Sequence, residues 1–179
     1  MRHTKQNEAN MDENHSRLFM CIGICLVCVK QAEQALQFCI NNVLDDESVK
    51  LAEQSEPERK QTLGDFIKKL KRRVKLPFRI KERLYDFLRM RNQLVHEIDF
   101  DFHTEEGRKQ AEMFARELSC IAMSISLLLV AVFQAWSRDE QGIDIFEDEA
   151  DESRQIAKAL EMQFGPVARE ILAGRNKAL

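Results

Sequence analysis

Ile80-Lys81-Glu82-Arg83-Leu84-Tyr85-Asp86-Phe87-Leu88-Arg89-Met90-Arg91-Asn92-Gln93-Leu94-Val95-His96-Glu97-Ile98 carries the pattern from which the fold is read. Ile80, Leu84, Phe87, Leu94 and Ile98 recur at the spacing that lines one face of a helix. Position 91 is the missing member of that stripe, and it holds Arg. A guanidinium buried without a partner is costly, so Arg91 needs a partner, a wet cleft or a second chain against that face. Pro77 suits a first helical turn, and the stretch predicts a helix from there to about Glu97.

Upstream, Thr62 is placed to cap a basic helix over Leu63 to about Val74, with Asp65 three residues on as a shortened capping box and Phe66, Ile67 and Leu70 inward. Before it, Leu18, Ile22, Cys25, Val29, Ala32, Leu36, Cys39, Ile40 and Val43 predict a long first helix from near His15 to Leu44. The intervening connection through Pro57 is polar, with room for one weak turn after Asp45 or Asp46. Downstream, Ile98-Asp99-Phe100-Asp101-Phe102 alternates apolar and acidic residues, an extended connection that pins its phenylalanines to the core. Thr104 is the cap of the last long helix, and Glu105 and Glu106 suit the positive end of its dipole. The organisation expected is a polar, disordered start (1–14), a helical bundle (15–137), an acidic linker (138–152) and a C-terminal helix and tail (153–179). The terminal helix, with Ile156, Leu160, Phe164, Val167 and Ile171 on one face, is expected to pack back on the bundle, the alternatives being a swap to a second protomer or the docking of a partner, and Gly165-Pro166 is its weak point. The fold class is all-α: an up-and-down bundle of four main helices plus a C-terminal one.

Composition agrees. Hydrophobic residues make up 44% of the 179 and charged residues 32%, with only 3 Pro and 6 Gly, which favours helices over tight turns. No glycine pattern for a nucleotide phosphate is present, and no cofactor is implied. Cys21, Cys25 and Cys28 fall at helical spacing within an apolar run and read as small core residues; together with Cys39 and Cys120 they give an odd number of thiols without a secretory signal, which points to a reducing cytoplasm and not to zinc. Leu118 to Trp136 is a run of 19 residues without a charge, close to membrane-spanning length. Ser119, Ser124, Ser126 and Gln134 interrupt it and its flanks are charged, so a central bundle helix is the better reading.

Charge is unevenly distributed. Lys68 to Arg91 carries +9, which leaves -12 for the rest of a chain whose net charge is -3. Local potential steers encounter, so this segment suits a polyanion despite the acidic total. Lys68, Lys69, Arg72, Arg73 and Arg89 are the candidate contacts to an RNA backbone, gripping phosphates with little regard to sequence.

Arg91-Asn92-Gln93-Leu94-Val95-His96, on the third of four main helices and preceded by a basic segment, resembles the Arg-polar-x-x-x-His motif of HEPN domains, a helical superfamily that includes prokaryotic ribonuclease toxins and phage-defence effectors. The resemblance covers roughly residues 16 to 136. It implies a HEPN-like bundle in which the motifs of two protomers form one composite site, cleaving RNA without a metal to leave a 2′,3′-cyclic phosphate and a 5′-hydroxyl. The residue types suit that chemistry: the His96 imidazole acts as general acid or base toward the ribose 2′-hydroxyl or the leaving oxygen, and the Arg91 guanidinium stabilises charge on the phosphorane. Asn92 shares a helical row with His96 and is expected to position it or a phosphate oxygen. On one straight helix Arg91 and His96 project about 140° apart. A two-fold axis near position 91 would gather two of each, so the expected partners are RNA, a second copy meeting through the Arg91/His96 helix, and an antitoxin or other defence-system component, with no membrane. Relatives restrained by nucleotide addition carry a Tyr two residues after the motif His. Ile98 stands there, so restraint of that kind is not expected. The competing reading is a non-catalytic helical dimer that binds protein or RNA, with Arg91 and His96 structural.

Overall fold

The computed structural model describes residues 2–44, 62–97, 99–147 and 150–175, with the side chains of residues 2–14 undescribed. The weak turn expected after Asp45 or Asp46 lies outside the described residues. The remainder is all-helical: α1 (Arg2–Phe38), continued by a π-helical turn Cys39–Val43, then α2 (Leu63–Arg73), α3 (Phe78–His96), α4 (Glu105–Gln141) and α5 (Asp151–Ala173).

Helix boundaries follow local chemistry. The Thr62 hydroxyl accepts from the Asp65 amide at 3.3 Å and the Asp65 carboxylate accepts from the Thr62 amide at 2.9 Å, which completes the capping box at the start of α2. Pro77 precedes α3, and the Thr104 hydroxyl accepts from the Gly107 amide at 3.1 Å to open α4. Gly142, at φ 68°, closes α4 in the left-handed conformation. Helix α1 reaches back to Arg2, through the segment for which the sequence predicts disorder. Its Lys, Gln, Glu, Met and Ala residues are good helix formers, and extending an existing helix carries no nucleation cost. The acidic linker is also shorter than expected, because Asp139, Glu140 and Gln141 belong to α4 and Asp151 begins α5.

Three contacts orient the long helices. Arg17 pairs with Glu112 at 2.8 Å, the Cys39 thiol donates to the Leu129 carbonyl at 3.4 Å, and the Phe38 ring meets Phe133 edge-on at 5.1 Å. The sequence offset is nearly constant along the three, so α1 and α4 run parallel. Glu33 of α1 meets Arg91 of α3, while Ile80 and Leu84 at the start of α3 share an apolar cavity of about 190 Å³ with Leu44 at the end of α1. Helix α3 therefore runs opposite to both. This departs from the four-helix up-and-down order, in which the first and fourth helices oppose each other. The reason is length: at ~1.5 Å per residue α2 rises only ~16 Å, and it brackets one end instead of spanning the bundle.

One core joins the helices. Phe87 of α3, Leu36 and Ile40 of the first helix and Leu118 and Val132 of α4 are fully buried within it, and Ala168, Ile171 and Leu172 of α5 belong to the same cluster. The terminal helix thus packs back, and it stays helical through Pro166. Its end is tied down: the Lys75 amide donates to the Gly174 carbonyl at 2.8 Å, Arg175 donates to the Val43 carbonyl at 3.3 Å, and Arg175 also pairs with Glu140. Cys25 and Cys28 are buried as expected, Cys21 is only partly buried, and Cys120 is exposed. Among the described residues, two helical stretches are long and apolar enough to cross a membrane, His15–Val43 and Glu105–Gln141.

Candidate functional site on the third helix

Arg91 points across to α1. Its Nε donates to the Glu33 carboxylate at 3.0 Å, with the two side chains 27% and 18% exposed. The stripe of α3 closes without it: Leu84, Phe87, Met90 and Leu94 are the buried positions, and Met90 fills the place that the spacing assigns to residue 91. Arg91 lies one step round the helix, at the edge of the core, where the long alkyl stem packs and the guanidinium meets an acid.

Glu33 is the residue that the reading of the sequence missed. A signal was present. It lies four residues after Val29 and three before Leu36, inside the buried stripe of α1, so it is an acid in a row of apolar residues just as Arg91 is a base in another. Two complementary irregularities on neighbouring helices are what an interhelical ion pair looks like before the helices are placed.

Asn92 does not hold His96. Its carboxamide oxygen accepts from Arg91 Nη1 at 3.4 Å, and no side-chain bond from Asn92 to His96 is present among the described residues. His96 is exposed at the last residue of α3, a turn and a half along from Arg91. Arg91, Asn92 and Glu33 form one polar cluster, and His96 stands apart from it on the open side of the helix. The single chain therefore does not converge Arg91 and His96.

The connection after the motif is held close by a glycine. A Cβ at Gly107 would lie 2.1 Å from the Asp101 carbonyl oxygen, so only glycine lets the chain leaving α3 cross the start of α4. Phe100 packs against Phe114 at 5.6 Å and Phe102 at 6.3 Å, so the two phenylalanines cluster with each other and with α4 and stay half-buried outside the central core that the alternating pattern predicts for them.

The basic residues divide. Lys68, Arg72 and Arg89 are exposed and Lys69 is half-buried, with Arg89 held loosely by Asp86 at 3.7 Å. Arg73 corrects the expectation that it contacts RNA: it is 4% exposed and donates to the Ile40 carbonyl in the π-helical turn. Burial makes it a clasp between α2 and the end of the first helix. Lys71 lies over the Tyr85 ring, 3.7 Å from its centre, and links α2 to α3. Among the described residues no three His, Cys, Asp or Glu side chains converge as metal ligands would. No protein-family model matches the chain, and comparison with curated proteins and with solved structures found no match either.

Proposed function

We propose that this protein is a metal-independent endoribonuclease of the HEPN type, active as a dimer, serving in toxin-antitoxin or anti-phage defence. The observation that carries the proposal is the pairing of Arg91 with Glu33 at the edge of the core, on the same helix that presents an exposed His96, in a chain that also exposes the cations Lys68, Arg72 and Arg89. A guanidinium held by one carboxylate on one side keeps further donors for a phosphate on the other. His96 is open to solvent, where the imidazole can reach a ribose 2′-hydroxyl or a leaving oxygen. Two copies meeting along α3 would complete the site, since one copy leaves the two side chains apart. DNA lacks the 2′-hydroxyl and is excluded by this mechanism.

The same ion pair favours a second reading. Arg91 neutralised by Glu33 has a structural explanation, which suits a non-catalytic helical module that binds RNA or protein. Wild type and His96→Ala are compared on total RNA and a defined tRNA in buffer with a chelator, with end-group analysis. Cleavage by wild type alone, with cyclic phosphate ends, is the expected result. Gel shifts by both proteins without cleavage by either would establish the binding module.

A further inference from the structure

Native interiors hold few voids larger than a water molecule, yet this chain encloses one of about 190 Å³. Leu70 of α2, Ile80 and Leu84 of α3, Leu128 and Val132 of α4 and Ile171 of α5 are among its walls, and of all the residues that line it only Arg83, Ser124 and Gln163 are polar. Aliphatic walls offer water no hydrogen bonds, and a void of this kind takes up apolar molecules instead: ~150 Å³ suffices for benzene. On that scale the cavity holds roughly eight carbon atoms.

The polar residues mark its mouth. Arg83 and Gln163 are exposed, whereas every apolar wall residue is buried or half-buried. Neither side chain has a hydrogen-bond or ion-pair partner among the described residues; Asp86, the acid one turn on from Arg83, pairs with Arg89 at 3.7 Å. Arg79, one turn before Arg83 on the same helical row, is likewise exposed and without a partner among the described residues, so the row carries two free positive charges. Such a rim draws an anion. The guanidinium fork matches the two oxygens of a carboxylate, and the Gln163 amide supplies a further donor.

We propose that this cavity binds a medium-chain carboxylic acid of about eight carbons, with its tail against Leu84, Leu128 and Val132 and its carboxylate on Arg83 at the mouth. Apolar walls with a few polar groups converging at one end are the usual makeup of a small-molecule site. Ile80 and Arg83 take no part in the RNA chemistry proposed above, so ligand binding and RNA cleavage stand or fall separately.

Isothermal titration calorimetry of the full chain with sodium octanoate tests it, with butanoate, octylammonium and 1-octanol as comparison ligands and Arg83→Met and Ile80→Trp as variants; far-UV circular dichroism verifies that each is folded. Met keeps the apolar stem of Arg83 at an exposed position without the charge, and Trp at half-buried Ile80 fills the cavity from its rim. The expected result is one octanoate per chain, with butanoate and octylammonium at least ~10-fold weaker and each variant lowering octanoate affinity by ~10-fold or more, the equivalent of one charge-assisted hydrogen bond. Binding of 1-octanol is expected to be unchanged in Arg83→Met and lost in Ile80→Trp. A wild type that does not bind octanoate, octylammonium binding as tightly as octanoate, or an octanoate affinity that either folded variant leaves unchanged overturns the proposal. If Ile80→Trp does not fold, Arg83→Met decides alone: a loss for octanoate without a loss for 1-octanol upholds the site, and any other pattern removes it.

Discussion

Removing one partner of the Arg91–Glu33 pair leaves the other charge in a half-buried position, and the cost can be bounded. Charge-assisted hydrogen bonds contribute ~1.5–3 kcal/mol, and breaking a fully buried pair costs ~3–5 kcal/mol. With side chains 27% and 18% exposed, water reaches both groups in part, so each single substitution falls near the lower range. Arg91→Met and Glu33→Leu are each expected to destabilise the chain by about 2 kcal/mol, which lowers the thermal midpoint by ~4–8 °C for a domain of this size. The double variant joins two apolar side chains across the same seam and is expected to lose less than the sum by about 1–2 kcal/mol. Urea unfolding followed by circular dichroism at 222 nm measures all four proteins. Additive losses would refute the reasoning, because they would mean that the pair is a surface contact without coupling. RNA cleavage read on the same set separates roles: Glu33→Gln keeps an acceptor for Arg91 and is expected to retain more activity than Arg91→Met.

Two further outcomes follow from burial. Gln134 is 2% exposed and, among the described residues, neither atom of its amide has a hydrogen-bond partner, so Gln134→Leu is expected to raise stability by ~1–2 kcal/mol, seen as a higher thermal midpoint; a lower one would show that the amide is satisfied. Burial pushes the Cys39 thiol from 9.0 to about 12, so the folded chain keeps a proton that the unfolded chain releases above pH 9. Stability is then fully present below pH 9 and falls by up to ~1.4 kcal/mol per pH unit toward pH 12. Cys39→Ala should flatten that decline in urea titrations at pH 8, 9.5 and 10.5, and an unchanged slope would assign the decline to other groups.

Periodicity carried far in this chain because a helix maps sequence spacing directly onto faces. The stripe from Leu18 to Val43, the Thr62 and Thr104 caps and the terminal amphipathic helix were all readable, since each depends on residues within one or two turns. Other features were not. Met90, not position 91, completes the buried row of α3, because helix rotation is set by what packs against it. Arg73 and Arg72 are neighbours of one type in one basic run, yet one is buried and the other exposed. The spacing from Leu70 puts Arg73 on the buried row of α2, but the Ile40 carbonyl that receives it is fixed by the fold.

By itself the sequence determined an all-helical chain, the approximate limits of its helices and an Arg that had to find a partner, because hydrogen bonds, caps and apolar spacing in helices are local. The tertiary structure decided who that partner is, that α1 and α4 run parallel with α3 opposed, and that His96 faces solvent away from Arg91. Those are relations between residues dozens of positions apart, and nothing in the spacing along one helix states which face of another it will meet.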